Sequence, residues 1–252
     1  MSRDRELWVR RYHEAPGSGF DVVCFPHAGG SASFFRPLSG ALAPDVGVLA
    51  VQYPARQDRH TEPPVDSIGG LADRIAEVLA DGAAGRPVAY FGHSMGAVVA
   101  FEVALRMRRS GRETPVLLFA SGRRAPSVHH SDDVHLRDDA GVLAELRSLS
   151  GTEAAVLDDE EMVRLVLPAV RADYTAIETY RVGQDAVLTC PIVAMVGDAD
   201  PKAPVEEVRE WRRHTSGEFE LRVLPGGHFY LTPGQDRVAA AIRECLELIP
   251  GS

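Results

Sequence analysis

The sequence has one lysine, Lys202, three cysteines, two tryptophans and no apolar run longer than a β-strand. Each shortage excludes something. A membrane-spanning helix needs about 20 apolar residues in succession, and the longest runs here fall far short. Cys24, Cys190 and Cys245 are odd in number and far apart, so no disulfide framework or metal-ligand spacing is visible. Cys24 and Cys190 sit in or beside apolar runs, as small buried hydrophobes do. The N-terminal stretch MSRDRELWVRRYHEAPGSG lacks the apolar core of a secretory signal. Positive charge is also short: 27 Lys and Arg against 36 Asp and Glu give a net charge of −9. The basic surface that neutralises phosphates is therefore missing overall, and nucleic acid is not an expected partner. That almost every cation is arginine is read as genomic base composition. A soluble, cytoplasmic chain without a membrane partner fits these absences.

What is present is ordinary for a globular protein: 252 residues, 45% hydrophobic and 25% charged, compatible with one large α/β domain over 1–252. Short apolar runs alternate with amphipathic stretches, the pattern of a mostly parallel sheet covered by helices. Strands are expected at Val22–Phe25, Val48–Gln52, Val88–Phe91, Val116–Ala120, Ile192–Val196 and Phe219–Leu224. Helices are expected at Phe34–Leu42, Ile68–Leu79, Ala97–Arg109, Val205–His214 and Arg237–Leu248, with Asp66 and Ser67 able to cap the second. There are no repeats or low-complexity tracts.

From Arg123 to Asp185 the alternation breaks. No strand pattern occurs there, only helical patterns around Ala140–Leu149 and Glu160–Tyr180. A long insertion between sheet strands usually covers the strand ends where α/β sites lie, so 123–185 is read as a helical lid. The plainer alternative is a small structural subdomain with no role in access.

Phe91-Gly92-His93-Ser94-Met95-Gly96 joins an expected strand to an expected helix. G-x-S-x-G in that setting puts the serine on a sharp strand-to-helix turn, where small flanking residues relieve crowding and the hydroxyl is exposed. The pattern alone is weak in a glycine-rich chain, and an ordinary βα turn is its rival; the flanking elements make Ser94 the candidate nucleophile. They also point to an α/β-hydrolase fold, in which the acid and then the histidine follow the serine along the chain. Of the histidines after Ser94, His129, His130 and His135 fall in the insertion and His214 ends a helix. His228, in Pro225-Gly226-Gly227-His228-Phe229-Tyr230 after the last strand, is the expected base. The acid should end the preceding strand, where Gly197-Asp198-Ala199-Asp200-Pro201 offers two aspartates. Asp200 is preferred, because Pro201 rigidifies its loop; Asp198 suits a turn or cap. A carboxylate there would hold the His228 tautomer and stabilise its imidazolium. The oxyanion donors are expected to be the backbone N–H groups of Met95 and of Ala28, the latter in Pro26-His27-Ala28-Gly29-Gly30. His27 precedes Ser94 and is read as a packing residue.

Other signals are set aside. His129-His130-Ser131-Asp132-Asp133-Val134-His135 has metal-binding residue types but no paired strands to fix their geometry, so no metal or other cofactor is expected. Asp66-Ser67-Ile68 superficially matches the phosphopantetheine-bearing serine of carrier proteins, but a helix cap explains it. Arg106, Arg108, Arg109 and Arg112 form a basic cluster at a helix end, a solvated face favoured by the helix dipole, with docking of an acidic partner the sharper option.

Taken in order, PHAGGSASFF, VQYPARQDR, GHSMGAVVAFE, GDADP and GGHFYL resemble the type II thioesterases of polyketide and nonribosomal peptide biosynthesis. The resemblance covers nearly the whole chain. It implies hydrolysis of acyl thioesters from the phosphopantetheine arm of acyl or peptidyl carrier proteins, clearing stalled, decarboxylated or wrongly primed units. It places the family's nucleophile on Ser94, acid on Asp200, base on His228, oxyanion amides on Ala28 and Met95, and lid on 123–185. One departure is Ala55, where the family more often has Pro-Gly-Arg than Pro-Ala-Arg. A small-ester or lactone hydrolase of the same fold and a non-catalytic binding module remain as alternatives. An integrated terminal domain is disfavoured because no carrier domain precedes the hydrolase, and a monomer is the default expectation.

Overall fold

The computed structural model describes residues 3–80, 85–149 and 159–249. The six expected runs form strands of one sheet: β2 Asp21–Phe25, β3 Gly47–Val51, β4 Val88–His93, β5 Leu117–Ser121, β6 Ile192–Gly197 and β7 Phe219–Leu224. A two-residue β1, Val9–Arg10, is added at one edge. The order is β1-β3-β2-β4-β5-β6-β7, and every neighbouring pair is parallel except β1 with β3. Every residue of β2, β3, β5 and β6 is buried, as strands covered on both faces must be. Because side chains alternate along a strand, Val23, Phe25, Tyr90 and Leu118 face one side, and Val22, Cys24, Phe91 and Phe119 the other.

Helices seal both faces. On the first side lie α3 Ile68–Ala80 and α4 Met95–Arg109, together with Val208 and Trp211 from the connection between β6 and β7. On the second lie α2 Arg36–Leu42 and α8 Leu231–Glu247. Ser67 caps α3 by accepting the Gly70 N–H at 3.2 Å. The arginines ending α4 are partly used internally: Arg106 pairs with Glu102 and Asp73, and Arg108 donates to the Val187 carbonyl. All three cysteines are buried free thiols. No helix among the described residues is long and apolar enough to cross a membrane.

The elements depart from the sequence expectation at their edges. Helix α1, Arg3–Trp8, and β1 were not expected, because RDRELWVR shows neither helical nor strand periodicity. Buried Trp8 anchors the segment beneath the Arg59 guanidinium, 4.3 Å from the ring centre. The stretch Val205–His214 splits into α7 Val205–Arg209 and a 3₁₀ turn, and a 3₁₀ turn over Ala32–Phe35 precedes α2. Helix α8 begins six residues before the expected Arg237, running through Pro233 and a non-helical Gly234. Those two residues hid its first turn, since proline fits a helix only near its start.

The insertion between β5 and β6 contains a 3₁₀ turn at Val134–Leu136, α5 Asp139–Leu149 and α6 Glu160–Thr179, and no strand among its described residues. Residues 150–158 of the expected lid lie outside those described. Asp159 caps α6, its carboxylate accepting the N–H groups of Glu161 and Met162. Val134, Val142, Leu146, Leu167 and Val170 form a small core of their own, separate from the two that flank the sheet.

The junction of β4 and α4 is the tightest point of the fold. A side chain at Gly96 would collide with the carbonyls of Phe25 and Pro26, and one at Gly92 with the backbone of Gly96 and Ala97. Gly183, by contrast, has open space where a Cβ would sit. Gly96→Ala is therefore expected to lower the unfolding free energy by about 1–3 kcal/mol, as overpacking does, while Gly183→Ala leaves it within about 0.5 kcal/mol. Urea unfolding of the two variants checks this, and equal midpoints would contradict it.

Candidate active site

Ser94 stands at the β4–α4 junction with φ 54° and ψ −119°, a left-handed conformation that non-glycine residues rarely hold. Its N–H donates to the Ser121 carbonyl at 2.8 Å and its carbonyl accepts the Ala97 N–H at 3.0 Å, so the backbone is fixed from both sides. The side chain is left free to point out over the sheet.

There it meets the loop after β7. The Ser94 hydroxyl lies 3.0 Å from His228 Nε2, and His228 Nδ1 lies 3.0 and 2.9 Å from the two carboxylate oxygens of Asp200. Both His228 and Asp200 are buried. A proton on Nδ1 satisfies the carboxylate and leaves Nε2 to accept from the serine. The Lys202 N–H donates to Asp200 Oδ1 at 2.8 Å, fixing the carboxylate. The sequence left Asp198 open as the acid; the structure gives it a different task, accepting the Gly226 N–H at 2.9 Å and so tying the β6 turn to the loop that carries His228. A side chain at Gly197 would strike the carbonyls of Gly226 and Gly227, so the two loops pack backbone to backbone.

Ala28 and Met95 line the same space. Two small cavities, of about 20 and 40 Å³, share Ala28, Ser94, Leu149, Tyr174 and His228 as walls, and Met95 borders the second. The Met95 N–H is the first of α4 and has no carbonyl one turn earlier to bond. Leu146, Leu149, Tyr174 and Ile177 come from the insertion, which thus forms one wall of the space over Ser94. A larger cavity, about 560 Å³, opens at the opposite end of the sheet near Asp21, Val88 and Val116, away from these groups. The residues of the histidine-rich stretch turn to separate partners: His130 to Glu207, Asp132 to Arg124 and His135 to Glu178.

Two further histidines surround His228. His27 is buried against Phe34 and Phe229, and its imidazole is driven down to about 3, first by burial and then by the charges of His228 and Arg56. His93 lies well below its ordinary range, again through burial first and then through His228 and His27. It shares a hydrogen bond of 2.9 Å with Ser121 Oγ, which in turn meets the Tyr230 hydroxyl at 2.7 Å. This chain braces the ends of β4 and β5 against the His228 loop. Sequence reading missed it, although His93 sits inside the serine motif itself. Burial also raises the Cys190 and Cys245 thiols to about 11, and Cys24 further, leaving no competing thiolate among them.

Residues 20–246 match the family model described as the thioesterase domain. The chain belongs to the thioesterase family. Thioesterase PikA5 of Streptomyces venezuelae is 49% identical over 252 residues, covering 100% of this chain and 90% of that protein. A probable cadicidin biosynthesis thioesterase of Streptomyces griseus is 50% identical over 239 residues, or 95% of this chain, which spans 66% of that relative's length. Among solved structures, the type II thioesterase BorB from the borrelidin biosynthetic cluster superposes with a TM-score of 0.87 at 47% identity, covering 95% of this chain and 98% of that one. The mostly parallel sheet with its flanking helices is thus the α/β-hydrolase fold of serine-hydrolase thioesterases, and the likeness to the type II branch extends from the motifs to the whole backbone.

The two neutral histidines make this thioesterase sensitive to acid. In the unfolded chain an imidazole takes up a proton near 6.5, whereas folded His27 does so only near 3. The unfolded state therefore binds more protons between those values, and stability, complete above the upper one, is lost as pH falls toward the lower. Each such group contributes about 1.4 kcal/mol per pH unit inside the window. His27→Asn is expected to reduce the slope of unfolding free energy between about pH 6 and about pH 4 by close to one proton. Urea titrations at several pH values measure it; an unchanged slope would contradict the assignment.

Proposed function

We propose that this thioesterase hydrolyses aberrant or stalled acyl groups from the phosphopantetheine arm of acyl or peptidyl carrier proteins, using Ser94, His228 and Asp200 as nucleophile, base and acid. The observation that carries the reading is the unbroken line of hydrogen bonds from Ser94 Oγ through His228 to Asp200, built on a strained turn. The likeness to type II relatives and the motif resemblance support a carrier-protein substrate.

Ser94 Oγ attacks the thioester carbonyl carbon while His228 Nε2 takes its proton. The resulting oxyanion accepts hydrogen bonds from the Ala28 and Met95 N–H groups, and Asp200 stabilises the imidazolium. Collapse breaks the C–S bond, and the pantetheine sulfur leaves with the proton from His228, giving an acyl ester on Ser94. A thiol of pKa about 8.5 is a good leaving group, so protonation matters less here than for an amide. A water molecule, deprotonated by His228, then attacks the ester and releases the free acid, returning the proton to Ser94. The insertion 123–185 acts as a lid, its Leu146, Leu149 and Tyr174 screening the acyl-enzyme from bulk water. The enzyme works as a cytoplasmic monomer on this reading, and the chemistry needs neither cofactor nor metal.

Ser94→Ala is expected to lower kcat on an acyl-carrier substrate by about 10⁴–10⁶-fold, as loss of a triad serine does. The wild type should prefer acyl-carrier or acyl-pantetheine substrates over simple oxygen esters of the same acyl group. A panel of acyl chains presented on carrier protein, on free pantetheine and as ethyl esters tests both. Indifference to the pantetheine arm would favour a small-ester hydrolase, and near-normal turnover in Ser94→Ala would exclude the mechanism.

A further inference from the structure

An ion pair between the insertion and the loop after β3 remains outside the mechanism above. Asp173, on α6, is buried, and its carboxylate pairs with the equally buried Arg56. The same Asp173 oxygen accepts the Gly29 N–H at 2.7 Å. Arg56 Nε donates to the Gly30 carbonyl at 2.9 Å and Nη1 to the Pro54 carbonyl at 2.7 Å. The two residues after Ala28 are thus held from both sides, Gly29 through its N–H and Gly30 through its carbonyl.

Sterics reinforce the clasp. Gly29 has φ 74°, and a side chain there would press into Val170 of α6. Arg56 is itself aimed by strain: Ala55 at φ 66° and Gln57 at φ 49° flank it, both in the left-handed region. The departure at Ala55 therefore carries a penalty that the family's more common glycine would not. Tyr53 adds a bond from its hydroxyl to the Pro26 carbonyl at 3.2 Å, beneath the Arg56 guanidinium.

Such a pair is a poor device for stability alone. Withdrawing both charges from water offsets most of their attraction, and apolar residues of equal volume often do as well. What an apolar pair could not supply is an acceptor for the Gly29 N–H and a donor for the Gly30 carbonyl.

We propose that Asp173 and Arg56 are positioning residues that set the Ala28 amide at the oxyanion, so that lid helix α6 is part of the oxyanion site and not only its cover. The inference rests on the proposed roles of Ser94 and Ala28. It also makes lid seating and catalytic competence one event, since lifting α6 separates Asp173 from the Gly29 N–H and so frees the loop that carries the Ala28 amide.

The test compares three variants with wild type: Asp173→Leu combined with Arg56→Met, which removes both charges at similar volume; Asp173→Leu alone; and Asp173→Asn, which keeps an acceptor for the Gly29 N–H. Readouts are kcat and KM on an acyl-carrier substrate, thermal midpoint, and affinity for a trifluoromethyl ketone analogue of acyl-pantetheine, whose hemiketal with serine mimics the oxyanion. The double variant is expected to lose about 10–100-fold in kcat and in analogue affinity, with KM within about threefold and folding retained. Asp173→Asn should recover most of the loss relative to Asp173→Leu, whatever its thermal midpoint. Analogue affinity and kcat that follow the thermal midpoints, and not the presence of an acceptor at residue 173, would overturn the proposal, as would wild-type values in a folded double variant. If Ser94→Ala binds the analogue as tightly as wild type, the active-site reading itself fails and the positioning role falls with it.

Discussion

The left-handed backbone of Ser94 is the constraint on which the rest of the site depends. A non-glycine residue in that region carries strain of order 1–3 kcal/mol, and it persists only where its surroundings over-determine it. Here they do. Strand β4 is central in the sheet, α4 is buried along most of its length, and Gly92 and Gly96 let the two backbones and the Phe25 carbonyl approach more closely than any side chain would allow. The strained turn keeps the hydroxyl outside both β4 and α4, within reach of a histidine that belongs to neither.

Around that hydroxyl the charges are sorted by burial. His27 and His93 are sealed among aromatic rings and held neutral, while His228 has a carboxylate on one nitrogen and the serine on the other. A protonated neighbour would oppose formation of the His228 imidazolium, so the neutrality of the two flanking rings serves the proposed proton transfer as well as the packing. The braces follow the same logic. Asp198 on Gly226 and the His93–Ser121–Tyr230 chain each join two strand ends or the loops beyond them, while the Lys202 N–H fixes the Asp200 carboxylate within its own loop. The residues that touch one another come from separate elements, and these cross-links hold the elements in register.

Much of this was legible in the sequence, and the reasons differ from residue to residue. Ser94 stood out as a candidate because a strand and a helix flank its motif, and His228 because no other histidine lies past the last strand; the structure brings the two side chains to 3.0 Å. The two aspartates of GDADP were ranked but not separated, since both meet the loop after β7, Asp198 at the Gly226 N–H and Asp200 at the His228 ring, and only the packing of that loop distinguishes them. Asp173 left a signal that was not used: an acid amid Val170, Ala176 and Ile177 on the buried face of a helix. Its partner Arg56 is 117 residues away, a distance over which sequence pattern carries no information. The short α1 and β1 were illegible for another reason, because their shape follows from Trp8 docking under Arg59 and from the open edge of β3.

Activation of Ser94 as a nucleophile by His228 is tested most directly by labelling with a fluorophosphonate and mapping the adduct by mass spectrometry. One adduct per chain is expected, on the peptide containing Ser94, formed about 10²–10⁴-fold more slowly when His228 is replaced by alanine. An adduct on any other residue, or a labelling rate indifferent to His228, would contradict it.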